Sequence, residues 1–242
     1  MANILILAPA RYESSRFPGK PLALINNRPM IHYVVENCRR TGFDYAMVTD
    51  DQRIQESVES IQGNIVRVDD AVTTGSARIA IAYDRYFSQK KYDLIINVQG
   101  DEPMLKPDFI EEIAKAHLES QFDIYTAVRK REKSESDFTN SDVVKCVWSE
   151  VTNQALYFSR SSIPFTKNTD GFWFQHIGVY SYRPECLLRF NKLPSSKLEL
   201  EENLEQLRAL ENAMTIGALE IKQKLIGVDR PEDIEKVQGA LV

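Results

Sequence analysis

The run Ile4-Leu5-Ile6-Leu7 constrains this chain more than any other stretch. An unbroken apolar run leaves no polar face, so it predicts a strand buried on both sides of a parallel sheet. From Ala8 the residues turn small and then cationic: Arg11, Arg16 and Lys20 stand against one acid, Glu13, around a Pro18-Gly19 turn. In an open α/β sheet the loops beyond the carboxyl ends of the strands are where ligands bind. Three cations there favour a polyanion such as a triphosphate, because Arg grips phosphate oxygens in a bidentate way and Lys acts as a point charge. Ala8 and Ala10 are small enough for a base or ribose to approach the backbone. A solvated basic loop is the alternative, and the position directly after the first buried strand favours the nucleotide site. Neither G-x-G-x-x-G nor G-x-x-x-x-G-K-[ST] occurs here, which argues against a dinucleotide fingerprint and a P-loop.

The rest of the first half alternates strand and helix signals. Met30, Ile31, Val34, Val35 and Cys38 recur at helical spacing after Pro29, and Gly42 closes the helix. Tyr45 to Thr49 reads as a strand, Asp50 or Asp51 as the cap of a helix running to about Ser60, and Ile65 to Val68 as a strand. Thr73-Thr74-Gly75-Ser76 leads into a helix over about 77–87, and Leu94 to Val98 is a further buried strand. This alternation predicts an α/β fold with a doubly wound, mostly parallel sheet. From about 134 to 182 the pattern changes to short β-like pieces, Val143–Trp148, Ala155–Phe158 and Ile177–Tyr182. Residues 1–242 are therefore read as one domain with an inserted antiparallel segment serving as a lid or a dimer surface. Leu200, Leu204 and Leu207 fall on one face of a predicted helix, with Glu205 roughly opposite and Gln206 beside it. A final helix is expected to hold Glu232 and Asp233 in its first turn.

A net charge of −5 argues against a general nucleic-acid binder, so any anion site must be local. Cys38, Cys146 and Cys186 show no metal or disulfide spacing and read as small buried hydrophobes of a reducing compartment. The longest apolar runs fall well short of the ~18 residues of a membrane span, and a basic signal-peptide region is missing at the N-terminus, so a cytoplasmic protein is expected.

Gln99-Gly100-Asp101-Glu102-Pro103 follows the fourth strand directly. A carboxylate there, on the same sheet edge as the basic loop, can hold Mg²⁺ against nucleotide phosphates, since Mg²⁺ takes one or two protein carboxylates and keeps several waters. Asp229, in G-V-D-R-P-E-D, can supply a second acid. A turn residue for Asp101 and a helix cap for Asp229 are the structural alternatives.

Taken in order, A-P-A-R-Y-E-S-S-R-F-P-G-K-P-L, N-V-Q-G-D-E-P, V-V-K-C-V, A-L-Y-F-S-R-S-S-I-P, H-I-G-V-Y-S-Y-R, L-E-Q-L-R-A-L-E and G-V-D-R-P-E-D-I-E-K-V resemble the signature blocks of the Kdo cytidylyltransferases, also called CMP-Kdo synthetases, Kdo being 3-deoxy-manno-octulosonate. The likeness runs from the N-terminus to the last helix. It implies a nucleotidyltransferase fold and a reaction joining CMP from CTP to a Kdo-type sugar acid with release of pyrophosphate, in lipopolysaccharide synthesis, by a homodimer. The family's CTP contacts would fall on Ala8, Ala10, Arg11, Lys20, Thr74, Gly75 and Arg78, with Arg11 and Lys20 steadying the departing pyrophosphate. Asp101 and Asp229 would hold Mg²⁺. The sugar acid would meet Gln99, Arg160, His176, Tyr180, Glu205 and Gln206, with Arg160 taking its carboxylate. Other sugar nucleotidyltransferases, an NAD-linked oxidoreductase and a nucleotide-binding regulatory protein without catalysis are the rival readings.

The chain departs from the family pattern in two places. The block usually read as H-x-S-G-T-[DE]-R is here Val72-Thr73-Thr74-Gly75-Ser76-Ala77-Arg78, and the stretch from Ile163 to Gln175 is short, with Lys167 where the family often has Arg. These departures bear on the sugar more than on CTP. A related subgroup acts on 8-amino-3,8-dideoxy-Kdo, and the chain is a candidate member.

Overall fold

The computed structural model describes residues 2–13, 17–165, 167, 171–223, 225–228 and 230–240. The chain divides into two compact units, one formed by Met1–Glu112 with Lys224–Val242 and the other by Ile113–Gln223.

In the first unit the apolar run is strand β1, Ile4–Pro9, buried along its whole length. The basic loop then leads to a small ribbon of β2, Leu24–Ile25, and β3, Arg28–Pro29. Helix α1, Met30–Arg40, buries Met30, Ile31, Val34, Val35 and Cys38, and Arg39 and Arg40 in its last turn complement the helix dipole. Gly42 follows with φ +72°, a conformation glycine adopts without steric cost. Strand β4, Asp44–Thr49, precedes α2, Gln52–Glu59, whose first turn is capped by Asp51 accepting from the Arg53 N–H at 2.9 Å. Strand β5, Ile65–Arg67, and α3, Gly75–Ala82, come next, with Thr74 Oγ1 accepting from the Ala77 N–H and a wider turn continuing to Phe87. Strand β6 is Leu94–Asn97, and α4, Pro107–Leu118, begins in this unit and ends in the second.

The strand order β5-β4-β1-β6 is parallel throughout. The chain winds outward from β1 to β5 and then returns to the other side of β1 for β6. The carboxyl ends of β1 and β6 are therefore a topological switch point, the place where an open α/β sheet leaves a crevice.

The second unit holds β7, Ile124–Glu132, β8, Lys145–Ser149, β9, Gln154–Ser159, and β10, Phe172–Tyr182. Helices α5, Pro184–Lys192, α6, Lys197–Glu202, and α7, Gln206–Glu211, precede β11, Ile216–Glu220. These strands run in the order β10-β7-β11-β9-β8, and β8 pairs back with β10 at Phe174 and Gln175. The ring closes on itself, which removes the unpaired edges an antiparallel segment otherwise exposes. Its pairings are antiparallel apart from β7 with β11.

Several expectations need correction. Leu200, Leu204 and Leu207 do not share one helix: Asn203 takes a left-handed conformation at φ 51° and ends α6, so Leu200 is exposed while Leu204 and Leu207 are buried. Strand β10 begins at Phe172 rather than Ile177. The C-terminal helix is Asp233–Ala240, so Glu232 precedes it; the Asp233 carboxylate accepts from the Arg230 N–H at 3.0 Å. The three cysteines are free and buried, as their spacing suggested. No helix of the described residues is long and apolar enough to cross a membrane.

Candidate active site

The pocket at the switch point is lined by Pro9, Ala10, Arg11, Glu13, Lys20, Pro21, Gly75, Gln99, Gly100 and Asp101. Its floor depends on a close backbone approach. Gly100 donates to the Pro9 carbonyl at 3.3 Å, and a Cβ on Gly100 would lie 2.7 Å from that oxygen, inside any tolerable contact. Gly75 faces the Pro9 ring in the same way, with an added Cβ at 3.0 Å.

The charges of the pocket are arranged around one ion pair. Lys20 Nζ donates to Asp101 Oδ2 at 2.5 Å; Lys20 is 12% exposed and Asp101 35%. The lysine is thus held near the pocket while the carboxylate stays within reach of a ligand. Arg11 donates to the Thr73 carbonyl at 2.9 Å and ties the basic loop to the turn before α3. The structure brings Ala10, Arg11, Lys20, Gly75, Gln99 and Asp101 together.

Other expected nucleotide residues have different surroundings. Ala8 is buried inside β1 opposite Met47, so only its backbone and small size bear on the site. Thr74 serves as the cap of α3. Arg78 is buried, with its guanidinium donating to the Val68 carbonyl at 2.5 Å and to Asp50 at 2.7 Å, so it braces the loop that presents Thr74 and Gly75. Arg16 and Asp229 lie outside the described residues. The neighbour of Asp229 is placed: the Val228 N–H donates to the Asp101 carbonyl at 3.2 Å.

As to a metal, no cluster of three or more His, Cys, Asp or Glu side chains occurs among the described residues. The pocket sets the carboxylates of Glu13 and Asp101 beside the cations Arg11 and Lys20, and one or two carboxylates next to phosphate-binding cations fit Mg²⁺, which completes its shell with waters and substrate phosphates.

In the second unit His176 and Tyr180 stand on β10, Glu205 lies close enough to act on the Tyr180 phenol, and Gln206 begins α7. The His176 and Tyr180 rings are 5.4 Å apart. Burial raises the Tyr180 phenol well above its ordinary pKa, and the nearby Tyr182 and Glu205 add to the effect. Burial pushes the His176 imidazole down to about 3, so it is neutral at working pH. Gln206 is 7% exposed and its Nε2 has no partner among the described residues, an orphaned donor that points to a missing acceptor. Arg160 differs. Its guanidinium donates to the carbonyls of Glu202 at 2.8 Å, Ser141 at 3.0 Å and Asn203 at 3.4 Å, while its backbone N–H reaches the Glu202 carboxylate at 2.9 Å.

A cytidylyltransferase family model matches residues 5–216. The chain is 37% identical over 254 residues to the 3-deoxy-manno-octulosonate cytidylyltransferase of Thermodesulfovibrio yellowstonii, spanning 100% of this chain and 98% of that protein. It is 42% identical over 243 residues to the 8-amino-3,8-dideoxy-manno-octulosonate cytidylyltransferase of Shewanella loihica, spanning 99% and 98%. The chain belongs to the Kdo cytidylyltransferase family. The solved structure of a CMP:2-keto-3-deoxy-manno-octonic acid synthetase complexed with CTP matches with a TM-score of 0.90 at 32% identity, over 99% of this chain and 98% of that one.

In this Kdo cytidylyltransferase family member two supporting residues escaped the sequence reading. Lys145 is fully buried in β8, where Nζ donates to the carbonyls of Asn140 at 2.7 Å and Arg160 at 2.9 Å, fixing the backbone that carries Arg160. A lysine between apolar neighbours in V-V-K-C-V was the available signal. Thr126, fully buried in β7, gave none, because threonine is an ordinary strand residue.

Proposed function

We propose that this protein transfers CMP from CTP to the anomeric hydroxyl of a Kdo-type sugar acid and releases pyrophosphate. The observation that carries the reading is the Lys20–Asp101 pair at the switch point, in a chain alike over its full length to an enzyme complexed with CTP. The anomeric oxygen attacks the α-phosphorus, the bond to the β-phosphate oxygen breaks, and the hydroxyl proton passes to water. Such displacements depend on positioning and charge neutralisation rather than on covalent help from the protein. Arg11 and Lys20 neutralise the departing pyrophosphate, and the close Gly100–Pro9 approach leaves room for the nucleotide. Asp101 and Asp229 would hold Mg²⁺, whose chemistry there is to offset phosphate charge and lower the pKa of the attacking hydroxyl.

His176, Tyr180, Glu205 and Gln206 read the hydroxyls of the sugar acid. Arg160 takes the sugar carboxylate through whichever N–H directions its three backbone carbonyls leave open. The amino sugar is the acceptor proposed, on the departures at Val72 and Ala77 and the short stretch from Ile163 to Gln175, relatives named for either sugar being about equally similar. The same reading treats residues 1–242 as one catalytic domain whose 134–182 segment forms a homodimer surface, supported by exposed Val151, Leu156, Phe165 and Phe172. It places the enzyme in the cytoplasm, where lipopolysaccharide precursors are made.

Pyrophosphate release is the test, measured with each of the four nucleoside triphosphates against Kdo and its 8-amino analogue. Turnover specific to CTP, abolished by EDTA and restored by Mg²⁺, is expected, with the higher kcat/KM for the amino sugar. Turnover with a hexose 1-phosphate, or without CTP preference, overturns the assignment. A higher kcat/KM for Kdo overturns the amino-sugar choice alone.

A further inference from the structure

The pairing of β10 with β7 slips between Ile177 and Ser181. Ile177 stands opposite Ala127 and Ser181 opposite Tyr125, so β10 takes four steps where β7 takes two. Thr126 is the β7 residue that faces this bulge. Its Oγ1 lies 2.7 Å from the Val179 carbonyl, 3.1 Å from the Ile177 carbonyl and 3.1 Å from His176 Nε2.

A hydroxyl carries a single proton, and the two carbonyls can only accept. The proton therefore goes to a carbonyl, the Val179 oxygen being the nearer. If Nε2 were also an unprotonated acceptor, three acceptors would compete for that proton in a buried site, and two would be left unsatisfied. Fewest groups are left short when Nε2 carries a hydrogen and donates it to Thr126 Oγ1, because only one carbonyl then goes without the hydroxyl proton. Nδ1 is then the bare nitrogen, and it has no hydrogen-bond partner among the described residues. The rings packed on the imidazole are those of Phe158, 5.0 Å away, and Tyr180, neither charged.

We propose that Thr126 is a positioning residue that locks His176 in the Nε2–H tautomer, so that Nδ1 meets the sugar acid only as an acceptor, taking a hydrogen bond from a hydroxyl or an ammonium group. This rests on the reading of His176 as a sugar contact. It accounts for the bulge, because the slipped register turns the Ile177 and Val179 carbonyls onto one threonine, and bulges near functional sites re-aim side chains. It also gives the site a sign: an acceptor that is neutral and unable to donate suits an ammonium as well as a hydroxyl, and rejects a group that offers only lone pairs.

The experiment uses the full chain labelled with ¹⁵N at histidine; the chain has three histidines, so the other two, His32 and His117, serve as internal controls. In the wild type, His176 is expected to show a protonated Nε2 and a bare Nδ1 from pH 5 to 8. Thr126→Val should convert it to a mixture of tautomers with the His32 and His117 signals unmoved, and Thr126→Ser should restore the wild-type pattern. In kinetics, Thr126→Val should raise the KM for Kdo and for its 8-amino analogue about tenfold, the size of one lost hydrogen bond, with the KM for CTP unchanged. A wild-type proton on Nδ1, or a Thr126→Val protein that keeps the Nε2–H tautomer, overturns the proposal. A shifted tautomer with unaltered sugar KM overturns the acceptor role of Nδ1, while CTP-dependent turnover separately upholds the cytidylyltransferase reading. If Thr126→Val does not fold, the wild-type and Thr126→Ser spectra decide the tautomer by themselves.

Discussion

The rings of His176 and Tyr180 lie 5.4 Å apart although the two residues are four positions apart along β10. In an unbroken strand such residues stand about 13 Å apart, so it is the bulge that brings them together. Burial keeps the Tyr180 phenol protonated and able to donate throughout the working pH range. Tyr180→Phe is expected to raise the KM for the sugar acid about tenfold without altering the KM for CTP. An unchanged sugar KM would remove Tyr180 from the sugar site.

Lys20 and Asp101 form one charged unit at 2.5 Å, and their substitutions should not add. Lys20→Met and Asp101→Asn are each expected to lower kcat/KM on the order of 100-fold by removing charge stabilisation that matters in the transition state. The double variant should fall close to the worse single one. Steady-state kinetics with circular dichroism as a check on folding measure this; independent, multiplicative losses would mean that the pair does not act together.

Gln206 offers a case in which stability and function should move in opposite directions. Its buried Nε2 lacks a partner among the described residues, and such an orphaned group costs about 1–3 kcal/mol. Gln206→Leu is expected to raise the urea midpoint of the ligand-free protein while raising the KM for the sugar acid. A lower midpoint with an unaltered KM would make Gln206 a structural residue.

Acid stability follows from the histidines. Burial pushes His117 down to about 4 and His176 down to about 3, from 6.5. The unfolded chain binds protons at these residues as pH falls below about 6.5, whereas the folded chain resists doing so until much lower pH. Stability is therefore full above 6.5 and is lost progressively as pH falls towards 4. Urea midpoints at pH 7.5, 6 and 5 should fall in that order. His117→Asn should flatten the slope, and a flat wild-type profile would show that these imidazoles are open to solvent.

The nucleotide half of the site was legible in the sequence because its parts are local. An apolar run ending in small residues and cations reads as a buried strand opening into a basic loop, and N-V-Q-G-D-E-P places acids after a buried strand in the same way. Both Asp101 and Lys20 could be named from that alone. Their ion pair could not, since residues 20 and 101 are brought together by the parallel pairing of β1 with β6.

The second unit was less legible. Asn203 breaks a leucine pattern that periodicity reads as one helix, because a single left-handed residue outweighs side-chain spacing. Resemblance supplied His176, Tyr180, Glu205 and Gln206, but neither it nor spacing revealed the bulge that gathers the first two.

By itself the sequence determined the parallel α/β core, the basic loop, the acids beyond β6 and the family. Tertiary structure alone decided that Arg78 and Arg160 are engaged by protein carbonyls, that Lys145 is buried beneath the Arg160 backbone, and that Thr126 faces three hydrogen-bonding atoms at once. Periodicity reports which face a residue occupies, whereas the direction of a hydrogen bond depends on the register of strands far apart in the chain, and a slip of two residues in β10 leaves no mark in composition or spacing.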